Sequence, residues 1–162
     1  MITKKPALLT PEGLAKLQAE YEEMTTVGRE EVADRLHRAF EDGQDDDFVD
    51  NAELEAARNE QAFLEGRIQE LEDILSNYEI IPENDKTPAR VNVGDWVTVI
   101  EEGYDEEERY HLVGAAEADP VEGRISNESP LGRALLDAQV GEIVTFDAPG
   151  GLTSFRVVKI ND

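Results

Sequence analysis

The residues best suited to chemistry in this chain are the aspartates of one short run. Asp45, Asp46, Asp47 and Asp50 place four carboxylates within six positions. Like charges this close repel one another, and water or a shared cation would relieve the repulsion. The run is therefore either a solvated acidic turn or a cation site, and composition alone leaves both interpretations open.

The spacing of these acids distinguishes between two hard cations. A calcium loop of the EF-hand type has ligands at alternate positions and a glycine as its sixth residue, and residues 45–50 show neither feature. Magnesium needs only one or two protein carboxylates and completes its shell with water or substrate oxygens. Asp47 and Asp50 could face one such ion just before the second helical segment. Phe48 and Val49 are apolar, which favours a turn that docks into a partner.

The segment before the acidic run is predicted to be a long helix. Thr10 is a suitable N-cap, Pro11 suits the first helical position, and Glu12 places an anion in the first turn. Apolar residues then recur at steps of three and four residues as far as Ala39, with consecutive steps of four around Gly28. Such a stutter locally unwinds a left-handed supercoil, and it predicts a bend near Gly28.

The segment after the acidic run has the pattern of a coiled-coil helix. Its seam positions alternate steps of three and four residues without a break, at Leu54, Ala57, Gln61, Leu64, Ile68, Leu71 and Leu75. Because only a short connection separates the two segments, they are predicted to be antiparallel neighbours. Residues 1–82 are therefore predicted to form an antiparallel α-helical coiled-coil hairpin with the acidic run at its tip.

The rest of the chain is predicted to be a linker, residues 83–89, and a small α+β domain, residues 90–162. The period of the apolar residues changes to two and predicts strands at residues 91–100, 110–113, 121–126, 143–146 and 155–160. Ser129 before Pro130 predicts a capped helix over residues 130–138. Residues 149–151 are predicted to form a hairpin turn.

Charge and composition exclude several classes of function. A formal net charge of −23 disfavours direct binding to nucleic acid, so any such role must run through a protein partner. The absence of cysteine excludes disulfides, thiol catalysis and thiolate zinc sites, and it favours a reducing compartment. No apolar stretch has the length of a signal peptide or a membrane span, so we expect a cytoplasmic protein with no membrane partner.

The sequence also argues against a self-contained enzyme. His37 and His111 are the only histidines, and neither is accompanied by a serine and an acid in a nucleophile motif. Both are expected to be surface or packed histidines. Gly150 and Gly151 lack the lysine and the following helix of a nucleotide-binding loop, so they are expected to form a turn.

Several patches of sequence together resemble the Gre family of bacterial transcript-cleavage factors, over nearly the whole chain. These patches are residues 9–13 (LTPEG) with 16–17, 50–58 (DNAELEAAR), 65–68 with 71–72 and 75–76, 110–114 with 117–119, 125–126 with 129–135, and 149–151. The resemblance implies an α+β protein with an N-terminal coiled-coil finger and a C-terminal domain of FKBP-like fold. It also implies an accessory factor whose partner is bacterial RNA polymerase, and we expect it to be a monomer.

In the Gre family the globular domain docks at the mouth of the polymerase secondary channel, and the finger enters toward the active centre. Two tip acids there help to hold Mg²⁺ and the attacking water, so that the polymerase cuts the backtracked nascent RNA at its 3′ end. By motif, these acids correspond to Asp47 and Asp50. The tip-supporting residues implied by the same motif are Asp45, Asp46, Phe48, Asn51, Glu53 and Arg58.

The resemblance implies a second contact region in the C-terminal half. Ser129, Pro130 and Leu131 match a loop that lies near the polymerase-binding face in the family. Ser129 and Pro130 are also explained as the cap of a helix, and Asn51, Glu53 and Arg58 as residues that cap a helix or pair along its surface. Both interpretations remain open at this point.

The tip departs from the usual family pattern of Gly-Asp-Leu-x-Glu-Asn-Ala-Glu-Tyr. Asp46 replaces the glycine, Phe48 the leucine, Asp50 the glutamate and Leu54 the tyrosine, and the loop is a few residues longer. Some Gre homologues with aspartate-crowded tips are inhibitors. The alternative function is therefore an inhibitor of RNA polymerase that docks in the same channel.

A third interpretation, from another class of protein, is a prolyl isomerase or chaperone built on residues 88–162. Such an activity needs an apolar pocket lined by aromatic side chains. The aromatic residues available to it are Trp96, Tyr104, Tyr110, Phe146 and Phe155. Several of them fall at strand positions that a sheet would bury.

Overall fold

A computed structural model of the chain describes residues 4–42, 52–82 and 87–161. The elements in these residues are, in order, β1 (Ala7–Leu9), α1 (Pro11–Glu23), a π-helix (Met24–Gly28), α2 (Arg29–Asp42), α3 (Ala52–Ser76), β2 (Tyr78–Ile80), β3 (Trp96–Glu101), β4 (Glu107–Val113), two 3₁₀ helices (Ala115–Glu117 and Pro120–Glu122), β5 (Arg124–Ser126), α4 (Pro130–Leu135), β6 (Ile143–Ala148) and β7 (Gly151–Ile160). The predicted α+β class, a helical hairpin followed by a sheet domain, is confirmed. None of the described helices combines the length and the apolar character that crossing a bilayer requires.

The predicted first helix is present, and it contains one wide turn. Residues 11–42 are helical throughout, with Met24–Gly28 in the π conformation. The hydroxyl of Thr25 donates to the carbonyl of Tyr21 at 2.8 Å, and that of Thr26 donates to the carbonyl of Glu22 at 2.7 Å. The stutter around Gly28 is therefore accommodated as a π turn, in which each hydrogen bond spans one residue more than in an α-helix.

The coiled-coil pattern of the second helix is also confirmed. The buried residues of α3 are Ala57, Ile68 and Leu71, which are three of the predicted seam positions. A Cβ atom at Gly28 would lie 3.2 Å from Leu64 Cδ1, so the π turn approaches α3 closely. A larger residue at position 28 would therefore require the Leu64 side chain to shift by a few tenths of an ångström.

The chain divides into two compact units that differ from the expected domains. One unit comprises Met1–Leu14 and Asn77–Asp162, and the other comprises Ala15–Ser76. The observed boundary differs from the expected one at residue 82. Strands β1 and β2 form a parallel pair, with Leu9 opposite Ile80, and β1 contacts the 3₁₀ helix Ala115–Glu117, so both ends of the hairpin segment belong to the sheet unit. Part of the expected linker lies outside the described residues, and residues 87–89 have no helix or strand.

A sheet of five strands, in the order β5-β4-β3-β7-β6, forms the body of the first unit. The pair β4–β5 is parallel, and the other neighbours are antiparallel. Helix α4 packs against β6 and β5. The buried core between helix and sheet comprises Val91, Val97, Val99, Leu112, Ile125, Leu135, Ala138, Val144, Phe155, Val157 and Ile160.

Local backbone geometry shifts several predicted boundaries in this sheet. The strand predicted over residues 91–100 is β3, which begins at Trp96 and not at residue 91. Residues 93–94 instead form a turn, in which Gly94 has a φ of 100°. The strand predicted over residues 121–126 is β5, which begins at Arg124 and not at residue 121. Residues Pro120–Glu122 instead form a 3₁₀ helix, which the Asp119 side chain caps. The predicted helix over residues 130–138 ends at Leu135, and Asp137 has a positive φ of 64°.

Candidate functional site

The acidic run lies between α2, which ends at Asp42, and α3, which begins at Ala52. The candidate residues that fall outside the described part of the chain are Asp45, Asp46, Asp47, Phe48, Asp50 and Asn51. Their roles therefore stay predictions. The structure does describe the two helices that flank them, and these helices pack against each other.

Arginine–glutamate pairs join the two arms of the hairpin and show its direction. These pairs are Glu20–Arg67, Arg29–Glu65 and Arg35–Glu60. Residue numbers rise along the first arm and fall along the second, so the arms are antiparallel, as predicted. In the middle pair, Arg29 Nε and Nη2 donate to the two carboxylate oxygens of Glu65 at 2.9 and 3.0 Å.

The hydrogen bonds across the hairpin shift the protonation equilibria of their partners. The Arg29 guanidinium lowers the pKa of the Glu65 carboxyl, because it stabilises the ionised form, and the same bond raises the pKa of Arg29. The Tyr21 hydroxyl donates to Glu72 at 3.2 Å, which raises the pKa of Tyr21. These groups are exposed, so each pair contributes little stability by itself. Together they define the register of the two arms.

Two of the predicted tip-supporting residues are described, and both are exposed on α3. Glu53 lies in the first turn, where the helix dipole favours a carboxylate. Arg58 lies on the next turn and forms no ion pair with other described residues. It lines a groove of about 570 Å³ between α2 and α3, together with Leu54 and Phe40. The side chain of Phe40 is 55% exposed, and the sequence analysis missed it because it falls outside the seam pattern.

The loop predicted to bind the polymerase is shaped by its own hydrogen bonds. Ser129 Oγ accepts the Gly132 N–H at 3.0 Å and donates to the Ser126 carbonyl at 2.7 Å, so the predicted cap of α4 is confirmed. Pro130 is exposed, and Leu131 packs against the core. Of the three candidate contact residues, Pro130 is therefore the one whose side chain is presented most openly.

Glu117 has a structural role that the sequence analysis did not identify. Its carboxylate accepts hydrogen bonds from the Thr10 N–H at 2.7 Å and from the Thr10 hydroxyl at 2.6 Å. Thr10 Oγ1 in turn accepts the Gly13 N–H at 3.0 Å, which confirms the predicted N-cap. A Cβ atom at Gly13 would lie only 1.9 Å from Glu117 Oε1. Because 107 residues separate Thr10 from Glu117, no local pattern could reveal the contact.

The histidines occupy the surface and packed positions expected of them. His37 lies on the exposed surface, 3.2 Å from Glu41. The ring of His111 stacks on Trp96 with the centroids 4.4 Å apart, and its Nε2 donates to the Gly94 carbonyl at 3.0 Å.

The aromatic residues of the sheet unit pack mainly on one another. The rings of Tyr110 and Phe155 lie 6.2 Å apart, and those of Phe146 and Phe155 lie 5.3 Å apart. Burial, reinforced by a hydrogen bond to Glu108, raises the pKa of Tyr110. These three side chains belong to the core, so they are not available to line the open pocket that a prolyl isomerase requires.

Among residues 4–42, 52–82 and 87–161, no group of three or more histidine, aspartate or glutamate side chains is arranged to hold a metal ion. The predicted ligands, Asp47 and Asp50, lie outside these ranges. Their carboxylates are hard oxygen donors, the class that magnesium prefers. The donor chemistry of the acidic run therefore fits the predicted ion.

Known proteins match both halves of the chain. The family models described as "Transcription elongation factor, N-terminal" and "Transcription elongation factor, GreA/GreB, C-term" match residues 7–80 and 86–162. The transcription elongation factor GreA of Acetivibrio thermocellus is 44% identical over 160 residues, which cover 99% of each chain. That of Thermoanaerobacter pseudethanolicus is 45% identical over 156 residues, 96% of this chain and 98% of its own. Among solved structures, GreA factor homolog 1 (Gfh1) of Thermus thermophilus is 32% identical, covers 98% of this chain and 100% of its own, and has a TM-score of 0.44.

Proposed function

This chain belongs to the GreA/GreB family of transcription elongation factors, and we propose that it binds bacterial RNA polymerase in the cytoplasm and stimulates cleavage of backtracked nascent RNA. In this proposal the polymerase's own active centre cuts the RNA, and the factor supplies acidic groups in trans. The chain is an accessory factor and not a separate enzyme. It meets the RNA 3′ end only within the polymerase complex.

The observation that carries this proposal is the position of the acidic run between two long, paired helices. Helix α3 has 25 residues and, at about 1.5 Å per residue, is about 38 Å long. The ion pairs between the arms align α2 and α3 as far as Arg35 and Glu60, close to their junction with the run. A paired support of this length can present a short acidic segment within a narrow channel.

Asp47 and Asp50 are the residues we propose to hold Mg²⁺ jointly with the polymerase. When bound, the ion supplies positive charge that lowers the pKa of a coordinated water. The carboxylates of the chain contribute oxygen ligands and orient that ion relative to the RNA, which is a positioning effect. Asp45, Asp46, Phe48 and Asn51 complete the segment around them, with Glu53 and Arg58 at its junction with α3.

The sheet unit is proposed to dock on the polymerase through Ser129, Pro130 and Leu131. The exposed ring of Pro130 is held on a capped helix, so it is presented in a defined position. This contact would anchor the factor independently of its acidic run. The alternative function, inhibition of the polymerase, is not favoured, because the relatives at 44% and 45% identity are elongation factors.

The decisive experiment compares RNA cleavage with polymerase binding. We expect Asp47→Ala and Asp50→Ala to reduce factor-stimulated cleavage in backtracked complexes on the order of 100-fold, while leaving affinity for the polymerase unchanged. Asp34→Ala removes an exposed carboxylate of α2 and serves as the matched control, with no expected loss. Full cleavage by both tip variants would refute the assigned roles.

A further inference from the structure

One face of the sheet concentrates the positive charge of the C-terminal half. Residues 83–162 contain 7 lysines and arginines against 17 aspartates and glutamates, a net charge of −10. Three of these cations, Arg109, Arg156 and Lys159, lie on the side of the sheet that faces away from α4 and the core. We refer to these three residues as the cationic face.

The strand register places the cationic face on the outer side of the sheet. Val97 and Val99 belong to the core, so the alternate residue Thr98 lies on the opposite side of the sheet, where it is itself only 8% exposed. Thr98 pairs with Arg109 on β4 and with Lys159 on β7, so these three residues form one row across three strands. Arg156 lies between the core residues Phe155 and Val157, and it therefore points outward as well.

The cations of this face form no ion pairs within the described part of the chain, and the Arg109 guanidinium lies over the Trp96 ring, 4.6 Å from its centroid. Arg109, Arg156 and Lys159 are exposed, and none forms an ion pair with another described residue. Arg124, at the edge of the same sheet, is instead neutralised by Glu122, with Nη2 and Oε2 2.6 Å apart. A chain with 38 acidic residues thus leaves these three cations open to carboxylates from outside.

Apolar side chains alternate with these cations. Arg156 pairs with Ile100 on one side and with Ile143 on the other, and Ile143 is 51% exposed. Glu107, opposite Ile100, is an acidic residue on the same side of the sheet. The surface therefore offers positive charge and aliphatic area together, which matches a ligand that carries both carboxylates and apolar groups.

The geometry favours protein over nucleic acid as the ligand. Binding of single strands relies on open aromatic faces for stacking. The one tryptophan here, Trp96, already stacks on His111 at 4.4 Å and has the Arg109 guanidinium 4.6 Å from its ring centroid. The net charge of −10 over residues 83–162 also opposes a phosphate backbone with a charge on every nucleotide.

We propose that the cationic face docks an acidic amphipathic helix of a protein partner. Arg109 and Lys159 are two strands apart, which corresponds to about 10 Å. Carboxylates seven positions apart on an α-helix are also separated by about 10 Å along its axis, so one helix face can reach both cations. Leucines on the same face would pack on Ile100 and Ile143. This inference does not depend on the proposed tip chemistry or on the polymerase.

The test is an NMR titration of the full, isotope-labelled chain with a synthetic amphipathic helical peptide of glutamate, alanine and leucine. We expect the peptide to shift the backbone amides of β3, β4 and β7 around the cationic face, and the binding to weaken as salt rises. Arg109→Glu combined with Lys159→Glu should weaken binding at least about tenfold. Lys5→Glu combined with Lys16→Glu makes the same change in net charge at exposed positions elsewhere, and it should leave binding unchanged.

Three outcomes would overturn the proposal. The first is the absence of peptide-induced shifts at these strands. The second is an equal loss of binding in the Lys5→Glu and Lys16→Glu double variant, which would show that net charge alone explains the weaker binding. The third is preferential binding of single-stranded RNA at the same residues. If the double glutamate variant does not fold, Arg109→Gln with Lys159→Gln provides the same comparison without charge reversal.

Discussion

The two units of this protein are stabilised in different ways. The sheet unit buries a continuous core between α4 and its five strands, with Val97, Val99, Leu112 and Leu135 fully excluded from solvent. In the described part of the hairpin unit, the buried apolar residues form only a thin seam of Leu17, Ala39, Ala57, Ile68 and Leu71. Exposed ion pairs flank that seam.

This contrast determines how each unit responds to its surroundings. Burial of apolar area does not depend directly on ionisation and is not weakened by charge screening, whereas exposed ion pairs are screened by salt and depend on ionisation. The sheet unit should therefore behave as a fixed support, and the hairpin should respond to solution conditions. The two units can be followed separately, because Trp96 is the only tryptophan and lies in the sheet unit, whereas most of the helix lies in the hairpin.

The largest change in the free energy of unfolding is expected from a substitution in the sheet core. Leu112→Ala should lower the free energy of unfolding of the sheet unit by about 2–5 kcal/mol, because it removes a fully buried side chain and leaves a cavity. Chemical denaturation followed by Trp96 fluorescence measures this change. Val121→Ala is the matched control, since Val121 is 96% exposed and its loss should alter the stability by less than about 0.5 kcal/mol. Equal effects of the two variants would contradict a burial-based sheet unit.

A smaller effect on stability is expected at Glu117, which accepts hydrogen bonds from Thr10, the N-cap residue of α1. Glu117→Ala removes both hydrogen bonds to Thr10, and we expect it to lower the free energy of unfolding by about 1.5–3 kcal/mol. The measurement is again denaturation followed by Trp96 fluorescence. Glu128→Ala, an exposed carboxylate elsewhere in the unit, should have little effect. If the Glu117 variant were as stable as the wild type, the contact would have no role in holding Thr10 against the rest of the sheet unit.

The smallest effect concerns the pH dependence of the hairpin. The pKa of Glu65 is lowered from its ordinary value of 4.5 by the hydrogen bond from Arg29, so its contribution is fully present above that value. The contribution is lost as the pH falls through the lowered pKa. The Glu65→Gln variant should therefore have a slightly lower melting temperature than the wild type at neutral pH, and the difference should vanish in acid. Thermal melts followed by helical circular dichroism test this, and Glu55→Gln is the control. A difference independent of pH would exclude an ionic origin.

Much of the helical architecture could be predicted because its determinants are local. The seam of α3, the cap at Thr10, the cap at Ser129 and the stutter near Gly28 all depend on residues within a few positions of one another. The form of the stutter, a π turn, could not be predicted from the spacing.

The elements that the sequence did not predict depend instead on contacts between residues that are far apart in the chain. Strands β1 and β2 are three residues long and form only because they pair with each other across the whole hairpin. A segment this short carries no usable period.

The roles of Asp47 and Asp50 follow from the motif to which they belong, and they stay predictions because these residues lie outside the described ranges.

The amino-acid sequence by itself determined the class of the protein, the two helical arms, the acidic run between them and its suitability for a hard cation, because periodicity, caps and donor chemistry are local properties. Only the tertiary structure decided which residues belong to which unit, that Glu117 accepts hydrogen bonds from the helix cap Thr10, 107 residues away, and that Arg109, Arg156 and Lys159 share one face of the sheet. These features depend on strand pairing between distant segments. Such pairing is specified by the packing of the whole domain and not by any single stretch of residues.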